Sequence, residues 1–121
     1  MLSKNGIVVL LSHLGRPKGE DKAFSLLPVA KKLSTLLEKP VEFLNDCIGY
    51  EIEKKLELSK SGEIYLLENL RFYKEEICGD RVFSEKLSRL GDIYINDAFG
   101  ASHRPHSSMY GVVKHFKQKK Y

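Results

Sequence analysis

The sequence predicts the α/β class, with a parallel sheet covered by helices on both faces, and two observations carry that expectation. Short β-branched apolar runs alternate with longer stretches whose apolar residues recur at three and four. In addition, three Arg-bearing segments each follow directly on one of the short runs: Ser-His-Leu-Gly-Arg-Pro-Lys at 12 to 18, Glu-Asn-Leu-Arg-Phe at 68 to 72, and Asn-Asp-Ala-Phe-Gly-Ala-Ser-His-Arg at 96 to 104. If Ile7 to Leu11, Ile64 to Leu67 and Ile93 to Ile95 are parallel strands, Arg16, Arg71 and Arg104 leave the sheet at the same edge. That edge, outside the carboxyl ends of the strands, is where open α/β sheets bind ligands. Three guanidinium forks and at least one histidine converging there would receive a small polyanion.

The elements follow in order. After the first strand a polar loop, Pro17 to Ala23, leads to a helix with Leu26, Val29, Ala30, Leu33, Leu36 and Leu37 on its apolar stripe. Ser25 is its expected N-cap, and Pro28 falls in the first turn, where a missing N–H does little harm. Val41 to Leu44 is a short second strand, and Ile48, Ile52 and Leu56 mark the buried side of the next helix. Ser61-Gly62 opens the way to a strand over Glu63 to Leu67. A loop through Lys74, Glu75, Glu76 and Gly79 then precedes a helix over roughly Asp80 to Leu90, which buries Phe83, Leu87 and Leu90 and stops at Gly91. Asp92 to Asn96 is expected as a fourth strand. No repeat or linker interrupts the pattern, which predicts a Rossmann-like, three-layer α/β/α architecture.

Composition narrows the function classes. With 121 residues the chain is one domain or part of one, and its 42% hydrophobic content is ordinary. Its 20 Lys and Arg against 16 Asp and Glu leave a net charge of +4, far below the dense basic excess of a nucleic-acid binder. No run is long enough to span a bilayer, and the first ten residues do not form a secretory signal. A soluble, cytoplasmic protein that binds neither membrane nor nucleic acid is expected. Cys47 and Cys78 are far apart, with no C-x-x-C spacing and no His pair at zinc distance, so neither a metal site nor a disulfide framework is indicated; both read as inert, reduced packing residues.

The three segments together resemble the substrate domain of phosphoglycerate kinases. The resemblance runs from about Ile7 to Gly111 and includes the turn Asp46-Cys47-Ile48-Gly49. It implies that residues 1 to 121 are part of an N-terminal substrate-binding domain, without the first strand or strands of that domain, which in the family carry an Asp-x-Asn motif and an arginine, and without the nucleotide-binding domain. By the same resemblance His13, Arg16, Arg71, His103 and Arg104 form the basic patch that grips the phosphate of 3-phosphoglycerate, with Leu14 and Gly15 contributing through the backbone. The implied reaction is reversible phosphoryl transfer between 1,3-bisphosphoglycerate and ADP, giving 3-phosphoglycerate and ATP. Mg-ATP or Mg-ADP is expected on the C-terminal domain, with none bound by this chain alone. No catalytic residue and no metal ligand is expected within these residues. The parent is expected to be a monomeric glycolytic kinase, and the 121-residue chain by itself inactive.

The residues suit this chemistry on physical grounds. 3-Phosphoglycerate carries a phosphate and a carboxylate, and the planar guanidinium offers each of them paired, charge-assisted hydrogen bonds. Gly15 lets the backbone approach a ligand closely, and Pro17 and Pro105 bias Arg16 and Arg104 toward extended backbone. The family more often has a small residue at the position of Pro105. Glu68 and Asp97 read as strand-end carboxylates that pin loops by accepting backbone N–H bonds, and His106 and His115 as structural residues. The basic, aromatic-containing tail from Val112 to Tyr121 reads as a solvated surface segment. The competing reading is a stand-alone anion-binding α/β module without catalytic activity, since a fold by itself fixes no chemistry.

Overall fold

The computed structural model describes residues 6–95, 106, 108 and 113. The chain divides into two compact units, Met1–Phe72 and Tyr73–Tyr121.

In the first unit, β1 (Val8–Leu10), β2 (Val41–Leu44) and β3 (Ile64–Leu67) form a parallel sheet in the order β1-β3-β2. Val8 is level with Ile64 on one side of β3, and Val41 with Ile64 on the other. All four residues of β3 are buried, as a continuous apolar run in the middle of a parallel sheet should be. Two crossovers connect the strands. Helix α1 (Leu27–Leu37) carries the chain from β1 past the place of β3 to β2, and helix α2 (Tyr50–Glu57) brings it back one place to β3. Parallel crossovers are right-handed, so two that run in opposite directions along a sheet put their helices on opposite faces.

Side-chain contacts agree. On one face Leu26 and Ala30 form a buried cluster with Val41, Ile64 and Leu66, against which Val8, Leu10, Leu33 and Phe43 pack. The alternating residues Glu42, Leu44, Tyr65 and Leu67 belong to the other face. There Lys55 of α2 reaches Glu42 at 3.0 Å, and Ile52 of α2 is buried. The expected layering of helix, sheet and helix is therefore present.

The helix predictions hold with local corrections. Leu26, not Ser25, occupies the N-cap position of α1, and Pro28 sits in the first turn as expected. Ser25 instead ends a short 3-10 turn over Lys22–Phe24, and its hydroxyl accepts the Leu27 N–H at 3.2 Å. Of the predicted apolar stripe only Leu26, Ala30 and Leu33 join the core; Val29 and Leu36 are 42% and 67% exposed. They lie roughly 100–120° round the helix from Ala30, and a three-stranded sheet is too narrow to cover so wide an arc.

Tyr65, on β3, points its hydroxyl at Glu63, to which it donates a hydrogen bond. Burial, and then this hydrogen bond, push the phenol up to about 12. The bond, with a second from the Lys60 N–H at 2.6 Å, holds the Glu63 carboxyl below its ordinary range. A phenol whose folded pKa is raised stabilises the fold fully below the unfolded value near 10, and this contribution is lost as pH rises toward 12. Stability should therefore fall between about pH 10 and pH 12, and Tyr65→Phe should flatten that fall. Chemical denaturation at stepped pH checks it, and an equal alkaline loss in both proteins would contradict it.

The second unit departs more from expectation. Residues predicted as a loop form a short helix, α3 (Lys74–Cys78), which Gly79 closes by donating its N–H to the Glu75 and Glu76 carbonyls. Helix α4 (Arg81–Ser88) follows, capped by Asp80, whose carboxylate accepts the Phe83 N–H at 2.8 Å. Phe83 and Leu87 are buried as predicted, Leu90 only partly. The rings of Tyr73 and Phe83 meet with centroids 5.0 Å apart.

The fourth strand is not formed over residues 92–95, and Asn96 lies outside the described residues. Ile93 and Ile95 are 71% and 59% exposed, while Tyr94 donates its hydroxyl hydrogen bond to the Ser108 carbonyl. Apolar alternation makes a strand only where a neighbouring strand supplies the ladder, and among the described residues none does so here. Cys78 is a second correction. It is exposed at the last position of α3, whereas Cys47 is fully buried as expected.

Candidate functional site

The carboxyl ends of β1 and β3 lie side by side, and the two predicted Arg motifs leave from them. Beyond the last ladder pair, Leu10 with Leu66, the Leu70 N–H donates to the Ser12 carbonyl at 3.1 Å and extends the contact of the two segments. The turn over residues 13–16 is thereby set against the segment 68–71.

Three side chains from that segment hold it. Glu68 accepts from the Ser25 hydroxyl at 2.7 Å, the Leu26 N–H at 2.9 Å and the Asn69 N–H at 2.7 Å, fixing the entry to α1. This is the pinning role predicted for it. Asn69, fully buried, accepts from the N–H groups of Leu14 at 3.3 Å and Arg71 at 3.0 Å. Its amide nitrogen donates to the carbonyls of Leu14 and Phe24, both at 2.9 Å. Arg71, only 8% exposed, donates from Nη1 to the Gly15 carbonyl at 2.9 Å. Cys47 donates its thiol hydrogen to the Glu68 carbonyl at 2.9 Å, so even the buried cysteine braces this segment.

Gly15 is a steric requirement of the turn. Its φ is +65°, in the left-handed region, and a Cβ there would stand 2.4 Å from Cε1 of the Phe24 ring. The ring of Phe24 thus packs directly on the glycine.

The sequence-predicted residues fall into two groups. His13, Leu14, Gly15, Arg16 and Arg71 come together at one edge of the sheet: His13 is half-buried, Arg16 exposed and Arg71 buried. The backbone N–H and C=O of Leu14 are both engaged by Asn69, and the Gly15 carbonyl by Arg71. His103 and Arg104, like Asp97, His115 and all of the tail except Val113, lie outside the described residues. Sequence reasoning missed Asn69, Ser25 and Phe24. The adjacency of Asn69 to Arg71, immediately after a strand, was the available signal, since Asn is favoured where a side chain must satisfy backbone groups of a turn.

In the second unit Glu76 is buried, and its carboxylate accepts from both the N–H and the hydroxyl of Ser108. Its charge, after burial, raises the Tyr94 phenol. Among the described residues no cluster of His, Cys, Asp and Glu could hold a metal ion, and no helix is long and apolar enough to cross a membrane.

A parallel sheet with helices on both faces, which carries an arginine-braced glycine turn at the carboxyl edge of its strands, defines an α/β domain. The sequence model described as phosphoglycerate kinase matches residues 1–121 in full. The chain belongs to the phosphoglycerate kinase family. It is 53% identical over 115 residues to the phosphoglycerate kinase of Dictyoglomus turgidum, covering 95% of this chain and 29% of that protein. To the chloroplastic phosphoglycerate kinase of Chlamydomonas reinhardtii it is 52% identical over 119 residues, covering 97% and 26%. The crystal structure of the Pyrococcus horikoshii phosphoglycerate kinase is similar with a TM-score of 0.82 at 32% identity, over 98% of this chain and 33% of that one. The phosphoglycerate kinase structure from Coxiella burnetii is similar with a TM-score of 0.78 at 36% identity, covering 92% and 27%. The chain thus spans less than a third of the length of the curated relatives named above.

Proposed function

We propose that this chain supplies the 3-phosphoglycerate side of a phosphoglycerate kinase, a transferase of glycolysis that moves a phosphoryl group reversibly between 1,3-bisphosphoglycerate and ADP. The observation that carries the reading is the meeting of the turn 13–16 with Arg71 at the ligand-binding edge of the sheet, fastened by the 2.9 Å bond from Arg71 to the Gly15 carbonyl.

His13, Arg16 and Arg71, together with His103 and Arg104, form the basic patch that receives the substrate phosphate, and Leu14 and Gly15 shape the turn that presents it. Each arginine offers a planar fork to phosphate oxygens, and partial exclusion of water makes each charge-assisted bond worth about 1.5–3 kcal/mol. Mg-ATP or Mg-ADP supplies the transferable group and its counter-charge from a site outside these residues. Transfer of this kind needs no nucleophile from the protein; holding the acceptor in line and neutralising charge provide most of the rate. The protein is proposed to be cytoplasmic and monomeric, with a single domain formed partly by these residues on the substrate side.

A coupled assay of the full-length protein with ATP and 3-phosphoglycerate should show magnesium-dependent turnover, and the 121-residue chain alone should show none. Correctly folded full-length protein that binds 3-phosphoglycerate but does not turn over would instead favour a non-catalytic anion-binding module. Turnover by the 121-residue chain above a buffer blank would refute its proposed dependence on a separate nucleotide site.

A further inference from the structure

We infer that Asn69 is a positioning residue for the anion site: its side chain sets the distance between the Gly15–Arg16 turn and Arg71, and through it the affinity for the phosphate-bearing substrate. The inference rests on the functional reading above but concerns a residue outside the basic patch.

A primary amide has two donor hydrogens and an oxygen that accepts two bonds. All four are used by Asn69, and each goes to a backbone group of a segment that must be placed. Two of the bonds take the N–H and C=O of Leu14, so the two peptide planes that flank this residue are both held, the second of them leading into Gly15. A third takes the Arg71 N–H, which fixes where that side chain starts. The fourth takes the Phe24 carbonyl and seats the ring against which Gly15 packs. One fully buried side chain is therefore the common reference for the turn, for the arginine and for the wall behind the turn.

Asn69 alone bonds to all three pieces among the hydrogen bonds given above. Glu68 ties the entry of α1 to the same segment but reaches neither Leu14 nor Arg71 through any of its hydrogen bonds given above. The Arg71–Gly15 bond joins turn and arginine directly, but its length depends on where both backbones are held. Sites that bind by paired, directional bonds lose affinity steeply when their donors move by a fraction of an ångström to an ångström.

The test uses the full-length protein. Asn69→Ala should lower kcat/KM for 3-phosphoglycerate by roughly tenfold or more, chiefly through KM, with the KM for ATP within about twofold of wild type. Asn69→Asp keeps an oxygen to accept the Leu14 and Arg71 N–H groups but turns a carboxylate oxygen toward the Leu14 and Phe24 carbonyls, and should also raise this KM. Ser34→Ala is the structural comparison: it removes the 2.8 Å bond that the Ser34 hydroxyl accepts from the Val41 N–H, at the opposite end of the sheet. It should lower thermal stability without changing the KM for 3-phosphoglycerate. An unchanged KM in Asn69→Ala, or equal changes for both substrates, would overturn the inference while leaving the proposed activity intact. If Asn69→Ala does not fold, Asn69→Asp decides alone, and an unchanged KM for 3-phosphoglycerate overturns the inference. Wild-type protein without 3-phosphoglycerate-dependent turnover would remove the functional reading itself.

Discussion

Arg71→Lys in the full-length protein should reduce kcat/KM for 3-phosphoglycerate by roughly tenfold or more, the equivalent of about 1.4 kcal/mol or more of transition-state stabilisation. The charge survives the change, but the fork does not. Arg71 is buried at 8% exposure and spends one terminal nitrogen on the Gly15 carbonyl. A lysine ammonium in its place is a single point that can serve the turn or a phosphate oxygen but cannot span both with fixed geometry. Arg16→Lys and Arg104→Lys should act in the same direction, while the KM for nucleotide stays nearly constant throughout. Lys39→Ala is the control, because Lys39 is an exposed cation just past the end of α1, at the far edge of the sheet from the turn. If Lys39→Ala costs as much as Arg71→Lys, the basic residues act as a diffuse field and not as a site.

Gly15→Ala should be the most damaging single-methyl change in the described part of the chain. Two costs add. The left-handed φ of +65° carries about 1–2 kcal/mol for any residue with a Cβ, and the new Cβ would stand 2.4 Å and 2.7 Å from two carbons of the Phe24 ring. Overpacking of that kind adds about 1–3 kcal/mol unless the ring or the turn moves. A movement of the turn spares stability only by displacing Leu14 and Arg16, so 3-phosphoglycerate use should be nearly lost in either case. Gly62→Ala separates the terms: its φ is +91°, but nothing lies within 4 Å of the added Cβ. Chemical denaturation should show a loss for Gly15→Ala at least 1 kcal/mol larger than for Gly62→Ala, the low end of the overpacking cost. In the Gly15→Ala background, Phe24→Ala should cost less than it does alone, since loss of the ring also relieves the clash. Equal losses for the two alanine substitutions would show that the Phe24 contact is not what requires a glycine.

What was legible in the sequence alone was whatever rests on period and on local chemistry. The three β-branched runs that became β1, β2 and β3 were evident, as were the two amphipathic crossovers, because burial on both faces of a parallel strand demands uninterrupted apolar residues. The placement of Arg16 and Arg71 was equally plain, since segments that follow parallel strands emerge at the carboxyl edge. Glu68 was read correctly as a pinning carboxylate, because a charged group beside a buried strand end must be neutralised by nearby N–H donors.

Other features depended on which segments meet in space. Ile93 to Ile95 carries a strand-like pattern, yet residues 92–95 form no strand, for a ladder needs a partner and periodicity does not supply one. The wide apolar arc of α1 was halved by the width of the sheet beneath it. The strand order β1-β3-β2 brings residues 55 positions apart within hydrogen-bonding distance, so the use of all four amide bonds of Asn69 could not be read from its neighbours in sequence. Likewise the need for glycine at position 15 comes as much from Phe24 as from the turn itself. The sequence alone therefore determined which residues of the first two Arg motifs lie at the sheet edge, because residue type and its place after a strand are local facts; only the tertiary structure decided which side chains hold them in place, because a buried polar group must find its partners wherever the fold puts them.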